Sequence, residues 1–331
     1  MVDAGRFAGG LTLQVNLCAG DAGYAALTVP ALVRSHPEAT HRLAVVDCCR
    51  QQRTRIFDPE TRAPLAAFRD RLDRVRGLAE EFLKSGLFDE LAYLEPEDPR
   101  FPAFARKYAR AWMTETHDYG GCANMAYWAS LELPRTRFVL HYDADMLLHQ
   151  DPGFSWTAAA GALLPGQPRA IFAIPRISPP GFAATPGEDA PSLHEGRPPE
   201  RVADGWLNDW FSTRCFLLDR ERLEPQLPLV RGQAVLSYRL RRAIDRGYPP
   251  GPETLLFHSL GRRGWRTLNL ASPHAWLLHP TRKDAEYYRL LPGIVAAVAA
   301  GHFPPAQKGC ADLRLEDWAE FLAGSVAPSR P

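Results

Sequence analysis

Asp143 and Asp145, two carboxylates one residue apart in Asp143-Ala144-Asp145, close an apolar run that starts at Phe138. Side chains alternate along an extended chain, so the two carboxylates point the same way from a strand end. Two hard oxygen donors on one side suit a divalent cation, Mg²⁺ or Mn²⁺, of the kind that also binds phosphates. Asp47 ends a second apolar run, Leu43 to Val46. There it can accept from a ribose hydroxyl or a base N–H, or merely cap a turn. Glu253 follows Pro252 in the first turn of a predicted helix, a place for a general base or for a simple dipole-stabilised charge. His279 ends the strand-like run from Ala275 and offers an imidazole as third metal ligand, with His274 as its near rival. Trp206, Asn208 and Asp209 set flat aromatic surface beside hydrogen-bonding groups, as sugar recognition does; ordinary core packing is the alternative for the tryptophan.

Positioning these residues requires strands and helices in alternation. Leu11 to Leu17 alternates as a strand, Asp21 to Ser35 has helical spacing in which Pro30 must sit near the start or kink the helix, and Leu43 to Val46 is the next strand. A long helix, Ala66 to Gly86, precedes a brief strand, Ala92 to Leu94; helices over Phe101 to Thr116 and Gly121 to Glu132 lead into the strand that ends at Asp143. This order predicts an α/β domain with a mostly parallel, Rossmann-like sheet. Beyond it, strands are expected at Ala170 to Ile174, Phe211 to Leu218, Thr267 to Leu270 and Ala275 to Leu278, with helices over Pro228 to Gly247 and Pro252 to Arg263. The Pro-rich stretch Ser178 to Asp204 reads as a long loop. The domain organisation expected is one catalytic domain over residues 9–282, with a nucleotide half (9–150) and an acceptor half (151–282), followed by a helical appendage over 283–331.

The composition bounds the function. The chain has 331 residues, enough for a sizeable core, and a net charge of +1 argues against bulk nucleic-acid binding. Only Lys84, Lys107, Lys283 and Lys308 are lysine among the basic residues. Six scattered cysteines lack metal-ligand spacing, so neither a zinc site nor a disulfide framework is expected. With no signal-like start and no apolar run of spanning length, the expectation is a cytoplasmic protein able to touch a membrane surface. The segment Asn16 to Asp21 offers backbone N–H groups and Gly20, yet contains neither the dinucleotide glycine pattern nor the P-loop pattern. That weighs against a Rossmann dehydrogenase and a P-loop NTPase.

Taken together the motifs resemble a glycosyltransferase of the GT-A fold, similar to the family-two enzymes. Leu11 to Asp47 resembles their nucleotide-binding opening, Gly120-Gly121-Cys122-Ala123-Asn124-Met125-Ala126 the helix before the Asp-x-Asp strand, and Asp143 with Asp145 the signature itself. Phe211 to Asp219 is similar to the later strand, and Gly251-Pro252-Glu253, Gly264-Trp265 and His279 resemble the acceptor-side helix, the glycine after it and the terminal histidine. The chain departs from the pattern at Thr254, where an Asp is usual, and lacks an Asn-x-Gly near Phe211. The resemblance implies a transferase using a nucleotide sugar, with a UDP-sugar as donor and inversion favoured. It implies Glu253 as base, Asn16, Asp47, Asn124 and Asp143 as nucleotide-sugar contacts, and Asp143, Asp145 and His279 as ligands of Mn²⁺ or Mg²⁺. Trp206, Asn208 and Asp209 would face the acceptor, a glycan, peptide or small molecule. Two other readings stay open: a catalytically inactive nucleotide-sugar or glycan-binding protein, and a sugar-phosphate nucleotidyltransferase.

Overall fold

The computed structural model describes residues 7–54, 57–110, 113–180, 198–231, 236, 240 and 251–325. The first half alternates as its sequence dictates: β1 (Leu11–Cys18), α1 (Ala25–Arg34), β2 (His41–Asp47), α2 (Leu65–Lys84), β3 (Glu90–Leu94), α3 (Phe101–Ala109), α4 (Asn124–Glu132) and β4 (Phe138–Asp143). Then follow β5 (Leu147–Gln150), α5 (Trp156–Leu163), β6 (Ala170–Ile174), β7 (Glu200–Val202), β8 (Gly205–Asn208), β9 (Cys215–Asp219) and α6 (Pro252–Ser259). The chain closes with β10 (Arg266–Leu270), β11 (Ala275–Leu278), α7 (Ala285–Ala299) and α8 (Leu315–Ser325).

Nine strands form one sheet in the order β3-β2-β1-β4-β9-β6-β10-β8-β7. β3, β2, β1 and β4 run parallel, as do β6 and β10, while β9 and β8 run antiparallel to their neighbours. The expected α/β, mostly parallel sheet flanked by helices is therefore present, as a single domain. Alternation along the strands builds two hydrophobic layers. Leu11, Leu13, Val15 and Leu17 of β1, with Leu140 and Tyr142 of β4, pack on one face against α1, α2, α7 and α8. Leu43 and Val45 of β2, Val139 of β4 and Phe216 of β9 pack on the other against α3, α4 and α6.

Several expected boundaries move. The first helix begins only at Ala25, because Ala19–Gly23 forms a separate 3₁₀ turn, and Pro30 is carried inside α1. The helix from Phe101 stops at Ala109, where Arg110 turns left-handed at φ 52°. The strand expected from Phe211 starts at Cys215. Part of the expected loop from Ser178 to Asp204 falls outside the described residues, but Glu200–Val202 pairs with β8 as an edge strand. The helix expected over Pro228 to Gly247 also falls largely outside them.

The C-terminal helices enter the core of the domain. Tyr287 and Leu291 of α7 and Trp318 of α8 are buried in the layer that holds β1, and Trp318 Nε1 donates to Gln307 Oε1 at 2.9 Å. No helix among the described residues is long and apolar enough to cross a membrane. Trp318→Ala is expected to lower unfolding free energy by about 3–5 kcal/mol. Fluorescence and far-UV dichroism should then still report one coincident transition; a loss well below that range, or a separate early transition, would show that these helices fold apart from the sheet.

Candidate functional site

The parallel strands β1, β2 and β4 end at one edge of the sheet, and a cavity of about 390 Å³ opens there. Register sets its floor: Cys18 pairs with Asp47 and Asn16 with Asp143, so the strand ends carry their polar residues level with one another. Asn16, Asp47, Asp143, Asp145 and Glu253 all line this cavity.

Beyond β4 the chain makes a tight turn. Met146 N–H donates to Asp143 O at 3.2 Å, and Thr28 Oγ1 of α1 donates to Ala144 O at 2.5 Å. The turn delivers the chain into β5, which pairs antiparallel with β11 so that Leu278 lies opposite Leu147. His279, the next residue, therefore arrives beside Asp145: its Nε2 is 3.5 Å from Asp145 Oδ2. His274, at the other end of β11, instead pairs with Asp151 at 2.8 Å.

Asp145 is buried, and its charge is met by a lysine. Lys283 Nζ donates to Asp145 Oδ2 at 2.6 Å and to Tyr24 Oη at 3.2 Å. Burial opposes ionisation of Asp145, but a hydrogen bond from His279 and the charge of Lys283 outweigh it and hold the carboxyl well below its usual range. Burial likewise works against the ammonium, yet Asp145 keeps the Lys283 pKa above normal. Behind this pair, Tyr24 Oη donates to Asp21, whose other oxygen accepts from Cys18 N–H at 2.6 Å. Burial raises Asp21 to about 6 against those hydrogen bonds. Asp143 is more open; its Oδ1 lies 3.4 Å from Nε2 of the buried His141.

Near β2, Asp47 is buried and accepts from Cys49 N–H at 2.9 Å, with His117 Nε2 3.7 Å from its second oxygen. Burial pushes Asp47 up to about 6 and His117 down to about 4. At neutral pH this end of the cavity thus presents a carboxylate and a neutral imidazole. The loop carrying His117 is folded by Asp118, which accepts from the N–H groups of Gly120 and Cys122 at 2.8 Å each. It also touches the start of α6: a Cβ on Gly251 would lie 2.7 Å from Asp118 Oδ2. This close approach seats Glu253 over the cavity, where its Oε1 accepts from both N–H (3.0 Å) and Oγ1 (3.2 Å) of Thr213.

Other expected site residues lie elsewhere. Asn124 is fully buried at the start of α4 beneath the cavity-lining Ala123 and Ala126; neither end of its amide has a hydrogen-bond partner among the described residues. Trp206, Asn208 and Asp209 belong to β8 and the residue after it, four strands from β4, and none lines the cavity. Arg201 stacks 4.6 Å over the Trp206 ring, Asn208 Oδ1 accepts from Trp210 N–H, and Asp209 faces Arg266 at 3.9 Å. Lys283, Arg214, Tyr24 and His117 line the cavity without having been expected there. A signal existed for Lys283 alone: a rare lysine in an arginine-rich chain, four residues after His279.

The residues expected to hold Mn²⁺ or Mg²⁺ do not fit that cation as arranged. Among the described residues no group of three or more His, Cys, Asp or Glu side chains is placed to hold a metal ion. Asp145 Oδ2 already binds an ammonium. His279 Nδ1 faces Arg214 Nη1 at 3.1 Å, and a guanidinium only donates, so Nδ1 must accept and the neutral ring carries its proton on Nε2. That nitrogen is the one turned toward Asp145. A metal-ligating histidine has the opposite arrangement, its outer nitrogen donating to an acceptor.

No protein-family model and no curated protein matches the sequence. Solved structures with a similarity to it include that of S. aureus TarS in complex with UDP, at 11% identity and a TM-score of 0.36, covering 95% of this chain and 70% of that one. Two structures of LgtC are also similar at 11% identity, each over 96% of this chain and 97% of that one. One is an active-site mutant (TM-score 0.34); the other is described as a galactosyltransferase with donor and acceptor sugar analogs (TM-score 0.28). Likenesses this weak carry no argument about the chain, and the reading rests on the cavity itself.

If Asp47 accepts from a nucleobase N–H, protonating it removes the acceptor. Uridine affinity should therefore fall as pH drops through about 6, the raised Asp47 value. Uridine is the right probe because a terminal phosphate itself titrates near there. Asp47→Asn, which keeps a carbonyl acceptor, should bind more weakly but without this pH dependence. Wild-type affinity that stays flat across the range would remove Asp47 from base recognition.

Proposed function

We propose that the protein is a glycosyltransferase that moves a sugar from a UDP-sugar to an acceptor hydroxyl, with inversion at the anomeric carbon. One observation carries the reading. A single cavity at the carboxyl edge of the parallel strands brings together the Asp47 carboxylate, the cations Lys283 and Arg214, and Glu253 on a helix start. These are the needs of a nucleoside diphosphate sugar in order: an acceptor for the base, positive charge for the diphosphate, and a carboxylate near the transferred group. In this reading residues 9–150 hold the nucleotide and 151–282 the acceptor side, while Lys283 draws the segment 283–331 into the site. Trp206, Asn208 and Asp209 have no part in it, and the acceptor stays open among glycans, peptides and small molecules. Mn²⁺ and Mg²⁺ have no part either, because Lys283 holds Asp145 Oδ2 and Arg214 fixes the His279 ring with its N–H toward that carboxylate.

The step balances with these groups. The acceptor oxygen attacks the anomeric carbon as its proton passes to Glu253. The bond from that carbon to the β-phosphate oxygen breaks, and its electron pair leaves on the diphosphate. Thr213 fixes one carboxylate oxygen of Glu253, which leaves Oε2 to receive the proton. Developing charge on the leaving group is met by fixed cations in a partly enclosed site, where such interactions are stronger than in water.

A screen of UDP-sugars, read by mass spectrometry for UDP release and for transfer to a panel of hydroxyl acceptors, tests the reading. Turnover of at least one donor is expected. Glu253→Gln should cut that turnover by about 10²–10⁴-fold with little change in UDP affinity. Undiminished turnover in this variant would remove Glu253 as base. UDP binding with no turnover of any donor would make the protein a nucleotide-sugar-binding protein instead.

A further inference from the structure

Three side chains decide how this cavity treats negative charge. Lys283 neutralises the buried Asp145 from 2.6 Å and is itself only partly exposed, so its ammonium is held at the cavity rather than in bulk solvent. Arg214 is exposed at the same cavity and, among the described residues, pairs with no carboxylate; its guanidinium rests on His279 Nδ1. His279 is thereby fixed as an N–H donor toward Asp145. A lysine and an arginine together supply two positive charges, the same charge a divalent cation would bring. Both side chains are long and donate hydrogen bonds to phosphate oxygens, the lysine as a point charge and the arginine as a planar fork.

We propose that the cavity binds the diphosphate of its nucleotide without a divalent cation, Lys283 and Arg214 acting in its place and His279 serving as a positioning residue. This rests on the nucleotide-sugar reading above and deepens it. Asp145 then anchors the ammonium, an inward ion pair being the reason a buried carboxylate persists at a site that must attract an anion. His279 links the two cations: it accepts from Arg214 and donates toward the carboxylate that Lys283 holds. Replacing it by a residue with no ring nitrogens frees Arg214 without removing either charge.

The test is calorimetric binding of uridine and of UDP to protein stripped of metals and kept in EDTA, repeated with Mn²⁺ in place of the chelator. The diphosphate should tighten binding over uridine by about tenfold or more in EDTA, with at most about a twofold further gain from Mn²⁺. Lys283→Ala should lose most of that diphosphate advantage and leave uridine affinity unchanged. Should that variant fail to fold with Asp145 unpaired, Arg214→Ala, at an exposed position, must show a loss of the same kind. Mn²⁺ titrated into wild-type protein should keep the paramagnetic resonance signal of the free ion. Loss of the diphosphate advantage in EDTA with recovery in Mn²⁺, or a bound-Mn²⁺ signal, overturns the inference while uridine binding upholds the nucleotide reading. Binding of neither uridine nor UDP under any condition overturns both.

Discussion

The site depends on keeping one buried carboxylate ionised. Asp145 is removed from water at the end of a core strand, where an unpaired charge would cost several kcal/mol. The chain meets that cost by reaching across with Lys283, at the entry to α7. An ion pair between residues 138 apart in sequence therefore joins the carboxyl edge of the sheet to the C-terminal helices, and the burial of Tyr287 and Trp318 in the same layer keeps them in register. The pair is a poor source of net stability, since desolvation offsets much of the attraction. Its consequence is electrostatic: a fixed ammonium beside two strand-end carboxylates, where two unpaired carboxylates would repel an anionic ligand.

The rest of the geometry follows from connecting that pair to a parallel sheet. β1, β2 and β4 must end together for Asn16, Asp47 and Asp143 to share an edge, and parallel pairing with even register does this. The β5–β11 ribbon then returns the chain so that His279 and Lys283 meet the turn after β4. Arg214 comes from the approach to β9, a strand of the sheet itself, and Glu253 from the start of α6, which packs on the face opposite α1 and α7. The cavity is thus assembled from the sheet and both helical layers, and its two cations come from separate elements, one before β9 and one before α7.

Much of the fold was legible because its signals are local and repeated. Buried strands such as Leu43 to Val46 and amphipathic helices such as Ala66 to Gly86 declare themselves through periodicity, and their alternation implies a parallel sheet. Asp47, Asp143, Asp145 and Glu253 were legible as site candidates because they stand where strands end or helices begin. Lys283 and Arg214 were not, since a cation's role depends on what it faces across the fold. Arg214 is one of many arginines, and only the strand pairing places it over His279. Trp206, Asn208 and Asp209 show the converse: their composition suits sugar recognition, but the antiparallel pairing of β8 with β10 puts them four strands from the cavity. Asn124 sits beside the right loop, yet helix geometry turns its amide into the protein.

In the proposed complex a nucleoside diphosphate lies across this edge, its base at Asp47 and its phosphates at Lys283 and Arg214. A crystal structure of the protein with UDP, grown in EDTA, tests that placement most directly. The diphosphate should lie within hydrogen-bonding distance of Lys283 Nζ and the Arg214 guanidinium, with a base N–H on the Asp47 carboxylate. A diphosphate bound away from both cations, or a base remote from Asp47, would contradict it.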